Sequence, residues 1–477
     1  MLNTGSALSW AIIGLFLFAL AMQNPFQTYK IQIQQTLKLA YPIILGQLGI
    51  VLMGVSDMLM VGPLGSEELA SVNQSNNLFF MVSGFTFGVL FSVSTLVSIK
   101  VGQKRAADGF ITYRAGLVAA LILFAFQFII LQVFVHNFHW LKQDASIERL
   151  APGFLNILSW SILPLLFNVV TRQFTDGLGH TKIAMLITLG GLGLNVFLCY
   201  VLIYGHFGVA AMGLNGAAYA TLISRIVMAL VGLWYVRHSA FMREYVPQIM
   251  PGWSKIKIEL PSIWRIGLPI ALQTFAEWAC FGLSGVMVGW YGAKQLAAHA
   301  VALSFASITY MVVSGIAMAG AIIVGNKYGE KNRNQIRHAA HAIFLIIAVF
   351  EIGNALLFIF GNHWIAQLYE VKADVMPTIL PLFILAAIFQ LADGIQAGAM
   401  NLLRGIKDVN WSSGLSILSY WVISLPLSYL LGVWQDWQVY GIWIGFTVGL
   451  FVAAFLGVWR FYKHLRVLKF EEETEYL

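Results

Sequence analysis

Charge is what this sequence has least of. Asp, Glu, Lys and Arg together make up 10% of its 477 residues, against about 25% in an average soluble domain. That shortage excludes a soluble enzyme, since too little charge is present to clothe a folded surface in water. Cysteine is nearly absent too: Cys199 and Cys280 both lie inside apolar runs, so there is no disulfide framework. No G-x-x-x-x-G-K-[ST] phosphate loop occurs, which argues against ATP hydrolysis by this chain, and neither H-E-x-x-H nor a paired-Asp metal motif is evident. No resident cofactor is expected.

Apolar residues fill the space instead. They make up 59% of the chain, with 34 Phe, 15 Trp and 44 Gly, and mean hydropathy is +0.78. Lipid accepts apolar surface everywhere, and membrane helices hold more Gly than soluble ones. A span needs roughly 20 apolar residues. Stretches of that kind fall near 38–62, 75–99, 114–136, 153–173, 182–204, 209–235, 264–290, 301–325, 336–361, 377–402, 410–432 and 439–461. Backbone groups in lipid must be satisfied within their own segment, so these are helices. The chain therefore reads as an all-α polytopic membrane protein with 12 transmembrane helices and no appended soluble domain.

The formal charge of +7 would suggest nucleic acid in a soluble protein. Here it sets topology, and no nucleic-acid partner is expected. Basic residues gather in the loops near 100–114, 236–265 and 326–337 and in the tail, including Lys100, Lys104, Arg105, Lys255, Arg333 and Arg466. The loops on the opposite side hold only Lys142, Arg149, Lys294 and Lys372. By the positive-inside rule both termini are cytoplasmic. The apolar run from Ala7 to Ala21 is short for a span and has no positive start. Residues 1–23 are read as a dispensable N-terminal extension, with Met22 as the working start.

An internal repeat organises the rest. Residues 41–70 overlay 268–297 without a gap at an offset of 227, with nine of thirty positions identical, among them Pro42 with Pro269 and Met60–Gly62 with Met287–Gly289. V-G-Q-K at 101–104 resembles V-G-N-K at 324–327 after a four-residue gap. Residues 24–236 then form an N-lobe of helices 1–6, 237–263 a cytoplasmic linker, 264–463 a C-lobe of helices 7–12, and 464–477 a cytoplasmic tail. Six spans per unit make the two lobes point the same way, related by a pseudo-two-fold axis along the membrane normal.

An ionisable group at a helix centre costs about 2.5–3.5 kcal/mol on insertion scales, so such residues tend to face a cavity and carry function. Four acids qualify, Asp57, Glu277, Glu351 and Asp393, with Arg225 as the one basic candidate. A residue needed only by the scaffold should recur in both halves, and these do not: Asp57 overlays Ser284, Glu277 overlays Ile50, and Asp393 falls near Phe167. Polar neighbours follow at helical spacing: Gln47 and Gly54 beside Asp57; Gln273, Cys280 and Ser284 beside Glu277; Gln390, Gln396 and Ala397 beside Asp393. Such stripes point to a water-accessible interior, and Gln47, Gln273, Trp278, Ser284 and Gln390 are candidate cavity-lining residues. Glu351, among Phe350, Ile352 and Gly353, and Arg225, near Thr221 and Ser224, fit a structural role at least as well. Asn195 and Thr221 offer an amide and a hydroxyl in the fifth and sixth spans. A carboxylate-lined cavity attracts cations, and both Na+ and H+ suit it, the proton because burial favours a neutral carboxyl. His338 and His341 share a helix face near a basic end, where solvation accounts for them.

At this point the residues resemble a known family: two six-helix repeats, G-V-S-D-M-L-M-V-G around Asp57, L-P-I-A-L-Q-T-F-A-E ending at Glu277, and Q-L-A-D-G-I-Q with L-L-R-G around Asp393. The chain resembles the MATE (multidrug and toxic compound extrusion) transporters, their NorM-like branch most of all, over residues 24–463. The resemblance implies a secondary antiporter of the cell (inner) membrane, monomeric in the lipid bilayer, that is no enzyme. It would expel bulky, often cationic, amphipathic drugs in exchange for Na+ or H+ by rocking its lobes. It also assigns Asp57 and Asn195 to an N-lobe cation site and Glu277 with Asp393 to a C-lobe site where Na+ would bind. One turn after Asn195 the family commonly has Asn or Asp, where this sequence has Cys199. A thiol is a poor ligand for a hard cation, which favours a proton at Asp57 or ion binding in the C-lobe. Alternatives are a lipid-linked glycan flippase of the same superfamily, which needs a basic cavity, a membrane-embedded enzyme, which needs clustered metal-binding acids, and a channel.

Overall fold

The computed structural model describes residues 26–247 and 250–468. The 1–23 extension and the end of the tail lie outside the described residues. Among the described residues helices are the only regular elements, and the spans in order are α1 (Phe26–Val61), α2 (Ser66–Gly102, with a break at Phe91), α3 (Gly109–His136) and α4 (Ala145–Trp160 with Ile162–Gly177). Next come α5 (Thr181–Tyr204), α6 (Gly213–His238), α7 (Trp253–Gly289) and α8 (Ala293–Gly329). Last are α9 (Arg333–Phe360), α10 (Met376–Gly405), α11 (Val409–Trp434) and α12 (Gln438–Val467). Eleven of these pass as spans on length and hydropathy, and α4, bent by 43° at Ser161, makes the twelfth.

The helices outrun the apolar stretches that reveal them. α1 begins at Phe26 rather than near 38, and α7 at Trp253 rather than near 264. Apolar windows mark only the part that crosses lipid, while an amphipathic first stretch continues the same hydrogen-bonded ladder outward. Much of the segment read as a linker, 237–263, is accordingly the start of α7. At 1.5 Å per residue a 37-residue helix is about 55 Å long, well beyond a hydrocarbon core of about 30 Å. Pro42 in α1 and Pro269 in α7 occupy equivalent places. α11 opens into two π-helical stretches, Leu418–Ser424 and Leu430–Trp434.

The lobes join through glycines, and the joints obey the repeat. Gly88 of α2 packs so closely on Ala271 of α7 that a Cβ there would lie 2.4 Å from the Ala271 Cα, and Gly315 of α8 meets Ile44 of α1 in the same way, at 2.4 Å from its Cγ1. At the basic end Gly102 would touch the Asn326 carbonyl at 1.9 Å, and Gly329 the Ile99 carbonyl at 2.1 Å. Each pair is the other displaced by 227 positions, which is the signature of a pseudo-two-fold axis. Ser98 and Gly325, counterparts of one another, are in direct contact and so lie on that axis. The four-residue gap read from V-G-Q-K and V-G-N-K is therefore corrected: α2 and α8 keep one register to their ends, and the similar strings are about one helical turn out of step.

Apolar packing between lobes is concentrated in the basic half. One cluster fills the N-lobe and takes in Ile256, Ile263, Ile266 and Ile270 from the start of α7. A second joins Ala40 and Ile43 of α1 to the basic half of the C-lobe. The cluster in the opposite half of the C-lobe, from Cys280 to Leu450, draws on that lobe alone. The bundle is thus closed at its basic end and split toward the other. A half-buried ion pair reinforces the closed end: Lys100 Nζ of α2 lies 2.8 Å from Glu259 Oε1 of α7, and Thr112 of α3 donates to the same oxygen at 2.7 Å.

Candidate functional site

The two lobes hold two unlike polar centres. In the N-lobe, Asp57 of α1 is 5% exposed and sits against α5 and α6. Thr221 donates to its Oδ2 at 2.9 Å and the Cys199 thiol to its Oδ1 at 3.4 Å. Asn195 donates to the Thr221 hydroxyl at 3.3 Å, while Ser56 donates to the Asn195 carbonyl oxygen at 3.2 Å. Asn195, Thr221 and Asp57 thus form a relay of donors that ends on the carboxylate. A hydrogen bond to a charged acceptor is worth about 1.5–3 kcal/mol, so these donors, together with the nearby Arg225 guanidinium, offset part of what burial costs an ionised Asp57. Cys199 serves the carboxylate as a donor, a role that an oxygen-only ligand could not fill.

In the C-lobe the oxygens are left open. Asp393 of α10 is 5% exposed and its Oδ1 has no hydrogen-bond partner among the described residues. The same holds for Gln390 Oε1, Gln396 Oε1, Asn354 Oδ1 and the hydroxyls of Ser416, Ser419 and Ser424 elsewhere in the lobe. Native interiors leave few such atoms, and a group of them calls for water or an ion. The charges that bear on Asp393 are Glu277 and Glu351. Glu277 of α7 is only half buried; Tyr310 bonds to it, the Tyr420 hydroxyl faces it, and Arg404 is its nearest opposing charge. Glu351 of α9 presses on Gly394 beside Asp393, where an added Cβ would lie 2.8 Å from its Oε1, and it accepts from Asn354 at 3.2 Å. Three carboxylates against one guanidinium leave a deficit of positive charge in this centre.

The other polar candidates divide by position. Gln47 bridges the lobes, accepting from Arg172 at 3.2 Å and donating to the Met318 sulfur at 3.4 Å. Trp278 lays its indole on Gly84 across the same interface. Gln273 is buried against α11 and accepts from Ser412 at 2.9 Å. Ser284 is buried and donates to the Phe281 carbonyl at 2.7 Å. Gln390 donates to Thr309 and to the Ala306 carbonyl, leaving its own oxygen without a partner among the described residues. His338 and His341 meet Tyr29, the first by ring contact and the second at 3.4 Å, rather than facing solvent alone.

Arg225 is not the only buried base. It donates to Ser161 at the bend of α4 at 2.6 Å and covers the Phe79 ring, but Arg172 is buried as well and Arg404 is half-buried. Arg172 pairs with Asp176 at 3.6 Å on the same helix, and Asp176 is a fifth interior acid. Hydropathy placed both at the edge of the fourth span, because the helix continues inward past the apolar stretch. Gly46 was the available hint: a Cβ added there would lie 3.3 Å from the Arg172 guanidinium, so no side chain stands where a long one must pass. Among the described residues no group of three His, Cys, Asp or Glu side chains has the arrangement of a metal site. A cation here would be held by mixed carboxylate, amide and hydroxyl oxygens.

Comparison with known proteins agrees with this architecture. The MatE family model matches twice, over residues 42–201 and 269–430, once in each lobe. A probable multidrug resistance protein NorM of Rhizobium meliloti (strain 1021) is 30% identical over 455 residues, covering 94% of this chain and 97% of its own. The protein of the same description from Agrobacterium fabrum (strain C58 / ATCC 33970) is 32% identical over 439 residues, covering 89% and 92%. Among solved structures, the eukaryotic MATE transporter AtDTX14 superposes with a TM-score of 0.83 at 20% identity, covering 92% of this chain and 98% of that one. An outward-facing conformation of a multidrug resistance MATE family transporter gives 0.81 at 22% identity, covering 91% and 96%.

Proposed function

The chain belongs to the MatE family of transporters, and we propose that it exports bulky amphipathic, often cationic compounds by exchanging them for Na+ or H+. It is a multi-pass membrane protein; the proposal places it in the cell (inner) membrane as a monomer with both termini cytoplasmic, since the basic end is also the closed end. The split between the lobes then faces outward. The observation that carries the reading is the C-lobe centre, where Asp393, with one oxygen unpartnered, stands with Glu277 and Glu351 against a single arginine.

In this outward-facing arrangement an ion enters the C-lobe at Asp393 and Glu277. Na+ would take the free Asp393 and Gln390 oxygens, which suit a hard cation; protons would neutralise the acids directly. In the N-lobe the arrangement favours H+. Both Asp57 oxygens already accept, so an added proton turns one of them into a donor and displaces Thr221 or Cys199. That loosens α1 from α5 and α6. Closure of the split and opening of the basic end then expose the cavity to the drug. Coupling requires ion and drug to favour different states, since a ligand with equal affinity for both shifts nothing. Each net inward charge adds about 2.3 kcal/mol per 100 mV of membrane potential.

A glycan flippase would need an electropositive interior. Interior arginines are more numerous than the sequence suggests, but Arg172 is paired with Asp176 and Arg404 faces Glu277, which favours export of cations. The deciding experiment is drug transport in proteoliposomes under an imposed Na+ or H+ gradient, applied separately. Saturable transport driven by at least one gradient is the expected result, and equal rates with neither would refute exchange.

A further inference from the structure

The basic end carries a cavity unconnected with ion exchange. It lies between the first turn of α9 and the last turns of α12, encloses about 350 Å³, and is walled by Arg333, Arg337, Arg466, His341, Tyr462 and Leu465. Among the described residues no carboxylate lines it. Four of the other cations at this end are ion-paired: Lys100 with Glu259, Arg105 with Asp108, Lys327 with Glu330, and Arg460 with Asp408. Arg333, Arg337 and Arg466 form no ion pair among the described residues. The Tyr462 hydroxyl is buried there without a hydrogen-bond partner, close to Arg337.

We propose that this cavity binds the phosphate of an anionic phospholipid headgroup, with the acyl chains lying along the α9–α12 groove. Guanidinium groups match phosphate oxygens bidentately and dominate phosphate recognition where geometry matters. Arg333 and Asn334 open α9, a 28-residue helix whose Gln335 N–H is capped by the Asn332 side chain at 3.1 Å, so its positive pole adds to the charge at this end. Lys463 sits over the Trp459 ring within one turn of the cavity, and paired aromatic and basic side chains are what anchor helices at a membrane surface. Above them α12 turns apolar, with Phe455 71% exposed, which gives acyl chains a wall. A free phosphate would gain the charges but not that wall, so the commitment is to lipid.

The test uses the full-length protein in nanodiscs of mixed phosphatidylglycerol and phosphatidylcholine, with retained lipid counted by native mass spectrometry. Wild type should keep phosphatidylglycerol over phosphatidylcholine by roughly tenfold or more, given three basic side chains near the surface. The triple variant Arg333→Gln, Arg337→Gln, Arg466→Gln should lose that preference while eluting as wild type in size-exclusion chromatography. If it fails to fold, the single variant Arg337→Gln should lower the preference instead. Three results would overturn the proposal: no preference in wild type, full displacement by inorganic phosphate at millimolar concentration, or a preference that appears only after residues 469–477 are removed. The last would mean that the acidic tail, with Glu471, Glu472, Glu473 and Glu475, fills the cavity.

Discussion

The symmetric glycine joint predicts that one methyl group at Gly102 will prop the basic end open. In the closed arrangement the new Cβ of Gly102→Ala would sit 1.9 Å from the Asn326 carbonyl oxygen, where a carbon and an oxygen need about 3.3 Å. The obstacle is backbone, so no side chain can swing aside and α2 must part from α8 by more than an ångström. Overpacking of that kind costs about 1–3 kcal/mol, and it falls on the closed state alone. A bias of that size moves a two-state equilibrium by roughly 5- to 150-fold. Alanine also favours a helix over glycine by about 1 kcal/mol, but in both states, so that part cancels. Gly193→Ala isolates it, because nothing lies within 4 Å of that position. The assay is the reaction of a cysteine placed at Ser98, fully buried at the joint, with a membrane-impermeant maleimide on the basic side. Labelling should rise at least fivefold in Gly102→Ala and stay at the starting rate in Gly193→Ala. Equal labelling in the two variants would refute the reasoning.

Other expectations concern the chemistry inside the lobes. Glu277→Gln and Asp393→Asn should each abolish drug efflux while the protein still reaches the membrane in normal amount; undiminished ethidium efflux by both would sink the C-lobe assignment. Cys199→Asn exchanges a thiol donor for an amide oxygen beside Asp57, and should raise the Na+ dependence of transport measured at constant pH. Glu259→Met leaves Lys100 half buried with only Thr112 and the Asp108 carbonyl as partners, a loss of about 1.5–3 kcal/mol that maleimide labelling at position 98 should report as opening. Arg172→Met strands Asp176 without its guanidinium, so detergent-solubilised protein should melt earlier, consistent with the roughly 3–5 kcal/mol lost when a buried pair is broken; an unchanged melting temperature would show the pair to be idle.

Much of the architecture was legible because lipid imposes a simple rule on sequence. Twelve apolar stretches gave twelve spans, and the repeat around Met60–Gly62 and Met287–Gly289 announced two equivalent lobes. The acids at Asp57, Glu277 and Asp393 stood out for the same reason, as exceptions in a medium that penalises charge. What stayed hidden lay where that rule weakens. Arg172, Asp176 and Arg404 occur near the ends of spans, where hydropathy already falls, although their helices carry them into the packed interior. The link from Glu351 to Asp393 depends on Gly394 as a gap between two helices, which no single-helix pattern reveals. Hydropathy also cannot see the register of α2 and α8, because a four-residue slip is about one helical turn and leaves the apolar face unchanged.

The wide turns of α11 carry a mechanical consequence. A π-helical stretch holds one residue more per turn than an α-helix, so α11 has slack wound into it at Leu418–Ser424 and again at Leu430–Trp434. Rewinding one such stretch to α geometry turns one flank against the other by roughly 100° and advances it by about 1.5 Å, the step of a single residue. Tyr420, which faces Glu277, sits in the first of these stretches, and Trp421 beside it donates to the Ala276 carbonyl of α7. α11 is therefore a screw thread: the same small rotation that would re-aim Tyr420 at the ion would also drive axial travel against α7.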